Sequence, residues 1–164
     1  MQIEHRLEYA KWVLERNLHW IGAAEVKIGV VVAIDTAMLA GLAAVFSLTG
    51  FAAHSWEANA FSALAAVALI AAFICTAATI LPKTDGPKTS FVFFGKIINV
   101  SRAEYAAGFK QAEESEFLAD LLDQIHRNAE IAMDKFWWVR NAMTWSFVAL
   151  PLWIAAIVFL LKGR

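Results

Sequence analysis

The sequence has little cysteine, proline or charge. Its one cysteine, Cys75, lies in an apolar stretch, which excludes an intrachain disulfide framework. Only three prolines interrupt the chain, so long segments are free of the strongest helix breaker. Charged residues make up 18% of the 164 residues, against about 25% in ordinary soluble domains. This composition favours long helices in an apolar environment.

The sequence also lacks an excess of either charge. It has 14 Lys and Arg residues against 15 Asp and Glu, for a net charge of −1. A protein that binds nucleic acid needs a basic surface to neutralise phosphates. We therefore expect no nucleic-acid partner.

Three apolar stretches have the length of a membrane span, at 28–51, 58–81 and 142–161. At 1.5 Å per residue, the 20 residues of the third stretch cover about the 30 Å of a hydrocarbon core. The second stretch carries no charged side chain on any face. We predict an all-α integral membrane protein with three transmembrane helices.

The remaining residues predict a small helical region outside the lipid. Segment 1–27 has apolar residues three and four apart, as in an amphipathic helix. The insert 82–141 begins with a cluster of helix breakers. Its sequence SRAE at 101–104 has the pattern of a capping box. Apolar spacing beyond it predicts one helix from about Glu116 to Leu161. The apolar run 90–100 fits either a short strand or an irregular plug.

Positively charged residues predict the orientation of the spans. The N-terminal segment has four Lys and Arg residues, the insert has eight, and the loop 52–57 has none. Loops rich in Lys and Arg stay in the cytoplasm. We therefore expect the N-terminus and the insert, as a cytoplasmic sensor, to lie inside the cell.

No pattern in the sequence predicts catalysis or a bound metal. The four histidines are far apart and lack the spacing of a zinc-binding helix. There is also no Gly-rich phosphate loop and no nucleophile elbow. We expect no catalytic residue, no metal site and no cofactor.

Two residues within the apolar stretches are candidates for a membrane function. Asp35 at mid-bilayer would be costly and so functional, for example in a pore, but at the inner interface it would be ordinary. Pro151 removes a helical hydrogen bond in the middle of the third stretch. It is either a hinge or a tolerated kink.

The first group of candidate ligand residues lies early in the insert. Phe93 and Phe94 can stack on a base beside Gly95, while Lys96 and Arg102 can hold a phosphate. The alternative is that this segment packs as a hydrophobic plug.

The second group lies on the long predicted helix. Gln124, Arg127 and Asn128 share one face, where amides and a guanidinium can contact a base edge and a phosphate. The alternative is that Arg127 forms an ion pair with Asp123, four residues earlier.

Four segments resemble the transmembrane effectors of bacterial Pycsar anti-phage systems. They are WIGAAEVK at 20–27, FFGKI at 93–97, SRAEY at 101–105, and Gln124-Ile, Asn128-Ala, Ala132 and Lys135-Phe before the third span. The resemblance implies an effector that responds to cyclic CMP (cCMP) or cyclic UMP (cUMP) from a partner pyrimidine nucleotide cyclase. It also implies damage to the bacterial inner membrane and abortive infection.

The leading hypothesis is therefore a nucleotide-activated, membrane-disrupting effector without enzymatic activity. Three helices cannot enclose an ionic pore, so we expect a homo-oligomer in the active state. One alternative is a structural or assembly subunit of a membrane complex. Another is a small channel or transporter that uses Asp35.

Overall fold

The computed structural model describes residues 2–49, 54–87 and 89–162. Over these residues the chain forms helices and no strand, which confirms the predicted all-α class. The predicted first span and the loop after it include residues 50–53, which lie outside the described residues. The helices are α1 (Ile3–Thr49), α2 (Trp56–Ile80), α3 (Phe94–Ile97), α4 (Arg102–Gln111) and α5 (Glu114–Lys162).

Helices α1, α2 and α5 are each long and apolar enough to cross a membrane. This confirms the prediction of three helices of membrane-spanning character. Helix α5 also confirms the single helix predicted from about Glu116 to Leu161. It continues through Pro151, whose missing N–H leaves the carbonyl of Phe147 without its usual partner.

The chain divides into two compact units. We call Met1–Ala23 with Pro82–Asp134 the charged unit, because it holds most of the charged residues of the chain. We call Ala24–Leu81 with Lys135–Arg164 the apolar unit, because it holds the three apolar stretches.

Alanines fill the helix contacts of the apolar unit. Small side chains let helix backbones approach closely, which is how helices associate where lipid removes the hydrophobic driving force. The alanines that are 0–3% exposed are Ala24, Ala58, Ala65, Ala68, Ala72, Ala142, Ala149 and Ala156.

Lys135 links three helices of the apolar unit. Its Nζ donates to the carbonyl of Thr79 at 2.8 Å and to Glu25 Oε1 at 3.0 Å. Thr79 lies in the last turn of α2, where carbonyls lack helical partners and a cation is favoured. The charge of this buried lysine is therefore paired.

Local and long-range hydrogen bonds hold the charged unit together. Ser101 and Glu104 form the predicted capping box at the start of α4, which is thereby confirmed. Asn17 Nδ2 on α1 donates to the carbonyl of Ile125 on α5 at 2.9 Å. The run 90–100 forms the short helix α3 with turns around it, so the strand alternative is wrong.

Candidate ligand site

The charged unit contains a partly enclosed pocket of about 790 Å³. Pockets of about 300–1,000 Å³ are typical of small-molecule sites. Its wall comes from the segment before α3, from α3 and α4, and from the first turns of α5. The lining residues are Thr89, Ser90, Phe91, Lys96, Asn99, Val100, Glu104, Tyr105, Glu116, Ala119, Asp120 and Asp123.

Aromatic side chains support one part of the wall. Phe91 and Tyr105 line the pocket, and Tyr105 Oη donates to the carbonyl of Phe91 at 2.8 Å. Behind them, the ring centroid of Phe91 lies 5.3 Å from that of Phe117 and 6.1 Å from that of Phe109. Such rings offer a flat apolar surface on which a nucleobase can stack.

A buried carboxylate lies in the same wall. Asp120 is only 7% exposed, and its Oδ2 accepts a hydrogen bond from the backbone N–H of Phe91 at 2.7 Å. Its Oδ1 is buried and has no hydrogen-bond partner among the described residues. Buried polar atoms are nearly always hydrogen-bonded, so this oxygen is an exception that calls for a physical reason.

Ser90 fastens the segment before α3 to helix α5. Its Oγ accepts from the backbone N–H groups of Val92 at 3.0 Å and Phe93 at 2.9 Å, and from Gln124 Nε2 at 3.1 Å. Gln124 is 6% exposed. In this structure the predicted ligand residue Gln124 therefore holds the wall of the pocket in place.

The lining is acidic. Among the described lining residues Lys96 is the single cation, and no ion pair to it is formed by the described part of the chain. Hydrogen bonding to Ser101, through its side chain and through its backbone N–H, lowers the pKa of Glu104. The lining carboxylates are those of Glu104, Glu116, Asp120 and Asp123.

Arg127 lies in a second pocket of the charged unit, of about 470 Å³. Its guanidinium forms ion pairs with Asp85 and, at 2.7 Å, with Glu130. Arg127 therefore pairs with Asp85 and Glu130 and not with Asp123, the partner that the sequence suggested. Hydrogen bonding to Arg127 lowers the pKa of Asp85, and the same bonds raise the pKa of Arg127.

The predicted aromatic group shows one packed ring and one exposed ring. A Cβ added at Gly86 or Gly95 would lie 2.6 or 2.7 Å from ring atoms of Phe93, so this ring packs against both glycines. Phe94, in contrast, is 67% exposed. Phe93 therefore has the packing contacts expected of a plug.

The structure does not bring all eight predicted ligand residues into one site. Lys96 lines the larger pocket and Arg127 lines the second. Arg102 is exposed at the start of α4, and Asn128 Nδ2 donates to the carbonyl of Gln124 at 2.8 Å. Ligand binding by these residues stays a prediction. The full set is Phe93, Phe94, Gly95, Lys96, Arg102, Gln124, Arg127 and Asn128.

The sequence analysis missed Asp120 and Tyr105, although a signal for Asp120 was present. The polar face of α5 that contains Gln124 and Arg127 continues toward its N-terminus through Asp120 and Phe117, at spacings of three and four. Following that face of α5 for two more turns would have identified Asp120, with Phe117 beside it. Tyr105 had no comparable local pattern.

The two membrane candidates lie in the apolar unit. Asp35 is completely buried, and its Oδ2 accepts from Ser146 Oγ at 2.9 Å. Its Oδ1 has no hydrogen-bond partner among the described residues. Pro151 is exposed and lies within α5. Pore lining by Asp35 and hinge motion at Pro151 stay predictions.

Across the residues that the structure describes, no group of three or more His, Cys, Asp or Glu side chains is placed to hold a metal ion. No curated protein and no solved structure matches the chain. A family model described as the Pycsar effector protein domain (PycTM) matches residues 9–162, which is nearly the whole chain. The chain therefore belongs to the Pycsar effector family.

Proposed function

We propose that this protein is a non-enzymatic effector of bacterial anti-phage defence, activated by cCMP or cUMP. A partner pyrimidine nucleotide cyclase supplies the nucleotide on infection. The activated effector impairs the inner membrane, and the infected cell dies before phage matures. The family match over residues 9–162 carries this proposal, because it spans both the charged unit and the three apolar helices.

The apolar unit is the part that would act on the membrane. Its three helices are long and apolar enough to cross a bilayer, but three helices cannot surround an ionic pore. The active state is therefore a homo-oligomer in this proposal. The distribution of Lys and Arg supports a cytoplasmic N-terminus and a cytoplasmic insert.

The charged unit is the part that would detect the nucleotide. It has a pocket of suitable size with aromatic side chains and one unpaired lysine in its described wall. A ligand shifts a conformational equilibrium only by its difference in affinity for the two states. Activation therefore requires that the pocket bind the nucleotide more tightly in the active state.

Nucleotide binding tests this proposal. The full-length protein in detergent is titrated with cUMP, cCMP and cyclic AMP (cAMP) by isothermal titration calorimetry. We expect saturable binding of at least one cyclic pyrimidine and much weaker binding of cAMP. A folded protein that binds neither pyrimidine would contradict the proposal and favour a structural subunit of a membrane complex.

The burial of Asp35 favours a second candidate, a small channel or transporter. An ionisable group inside a membrane helix bundle commonly marks an ion or proton path. Asp35 is completely buried and has one unpartnered oxygen. If this second function is correct, Asp35→Asn abolishes ion or substrate flux in liposomes. If the effector function is correct, the same variant still binds the cyclic nucleotide.

A further inference from the structure

The buried carboxylate of Asp120 presents one unused acceptor in the wall of the larger pocket. Its Oδ2 is engaged by the backbone N–H of Phe91, whereas its Oδ1 has no partner among the described residues. A buried polar atom left without a hydrogen bond is costly. The structure therefore retains an unfavourable feature that a hydrogen-bond donor would relieve.

A pyrimidine base supplies such a donor. Uracil carries an N–H at N3, and cytosine carries an amino group at C4. An ionised carboxylate can only accept hydrogen bonds, so it matches either group. Phe91 and Tyr105 lie in the same wall, where a flat base can stack.

From this arrangement we infer that Asp120 Oδ1 accepts the base N–H of the cyclic pyrimidine nucleotide, an inference that rests on the proposed function. This places the ligand in the pocket of about 790 Å³, with the base against Phe91 and Tyr105. Asp120 acts as a binding residue and selects for a donor on the base edge.

Charge fixes the orientation of the ligand. The cyclic phosphate carries one negative charge, and Lys96 is the single cation among the described lining residues. The carboxylates of Glu116, Asp120 and Asp123 repel a phosphate from the α5 side of the pocket. The phosphate therefore lies at Lys96 and the base lies at Asp120.

Binding at Asp120 also requires a movement. Oδ1 is closed to water in this conformation, so the wall must open before a ligand N–H can reach it. A nucleotide that bonds to Oδ1 binds only the opened wall and shifts the population toward that state. The same contact would thus connect recognition with activation.

Modified nucleotides test the contact without changing the protein. If the full-length protein binds cUMP, N3-methyl-cUMP lacks the donor and 2′-deoxy-cUMP retains it. If it binds cCMP, N4,N4-dimethyl-cCMP replaces the first analogue and 2′-deoxy-cCMP the second. We expect the methylated analogue to bind about tenfold to a hundredfold more weakly, as for a lost hydrogen bond to a charged group. The deoxy analogue is expected to bind like the parent nucleotide.

The variant Asp120→Asn completes a double-mutant cycle with these analogues. The asparagine oxygen can still accept from the N–H of Phe91, but its amide group presents donors where Oδ1 was. We expect about a tenfold or greater loss of affinity for the parent nucleotide and no further loss on methylation. Glu114→Gln is the matched control, because it removes one negative charge from an exposed residue of the same helix that is not among the described lining residues of the pocket.

The outcomes separate this inference from the proposed function. If methylation of the base does not change the binding of cUMP or cCMP, the assignment to Asp120 is overturned. The assignment is also overturned if methylation weakens binding to Asp120→Asn as much as it weakens binding to wild type. Both results leave the proposed function intact. A loss for the deoxy analogue alone would show that the ribose hydroxyl, and not the base N–H, makes the hydrogen bond that matters for affinity, and it would also overturn the assignment. Wild-type protein that binds no cyclic pyrimidine would overturn both.

Discussion

Arg127 is the predicted ligand residue for which the structure offers the clearest structural role. It connects α5 to the segment before α3 through Asp85, and it also pairs with Glu130 one turn later. Asp85 is largely exposed, so water screens the pair and its contribution is small. The pair is better suited to holding this segment in place than to stabilising the whole protein.

The pH dependence of this pair is a testable consequence. Because hydrogen bonding to Arg127 lowers the pKa of Asp85, the stabilisation is fully present above the unfolded pKa of about 3.9 and is lost as the pH falls through the lower folded value. We expect wild-type protein to melt at a higher temperature than Asp85→Asn at pH 7. The difference should shrink below about pH 4. A difference that stays constant down to pH 3 would contradict this role.

Gly95 offers a second test at the scale of one residue. Its hydrogen is replaced by a methyl group in Gly95→Ala, and that Cβ would lie 2.7 Å from the ring of Phe93. We expect the thermal unfolding of the detergent-solubilised protein to show a loss of about 1–3 kcal/mol, as for other overpacked sites.

The matched control for Gly95 is Gly108→Ala on α4. Its added Cβ would lie 3.6 Å from the Phe91 ring, which is an ordinary contact, and alanine also favours a helix. We expect this variant to be at least as stable as wild type. Equal stability of both variants would show that Phe93 yields easily and that Gly95 has no packing role.

At the scale of the helices, Pro151 gives α5 a point where one hydrogen bond is missing. If Pro151 is the hinge that the sequence suggests, α5 bends there during membrane damage. Replacing Pro151 with leucine or with alanine restores the N–H and favours a straight helix by up to about 3 kcal/mol.

We expect Pro151→Leu and Pro151→Ala to bind nucleotide like wild type and to cause less leakage from liposomes. The alanine variant serves as the control for side-chain bulk. Normal leakage with both variants would eliminate the hinge, and impairment by leucine alone would indicate a packing effect instead.

Most of the helices could be predicted because their signals are local. The capping box at Ser101 and the apolar repeat of α5 each depend on residues three or four apart. The run 90–100 was ambiguous, because its conformation depends on bonds from distant residues. Ser90 is held by Gln124, and Phe91 is held by Asp120 and Tyr105.

The candidate site was harder to predict for the same reason. Its pocket combines three separate parts of the chain, and no spacing in the sequence shows that Lys96 and Asp120 line one cavity. Arg127 was predicted to bind a ligand because a guanidinium can contact a phosphate. Its partner Asp85 is 42 residues away in the sequence, so no local pattern indicates their ion pair. Local patterns therefore indicated which types of residue could bind a ligand, but they did not show which of these residues line the same pocket.

For the whole molecule, composition and patterning were sufficient to predict a membrane protein. Only 18% of residues are charged, and the three long apolar stretches correspond to α1, α2 and α5. The family match covers residues from both compact units. Sensing and membrane damage are therefore proposed as properties of one continuous chain.

Leakage from liposomes tests the central claim most directly. The full-length protein is reconstituted into liposomes loaded with a self-quenched dye, and cUMP, cCMP or cAMP is added to both sides of the bilayer. We predict that one cyclic pyrimidine releases the dye and that cAMP does not. No release by either pyrimidine, from protein that is folded and shown to bind the nucleotide, would contradict the claim that binding causes membrane damage.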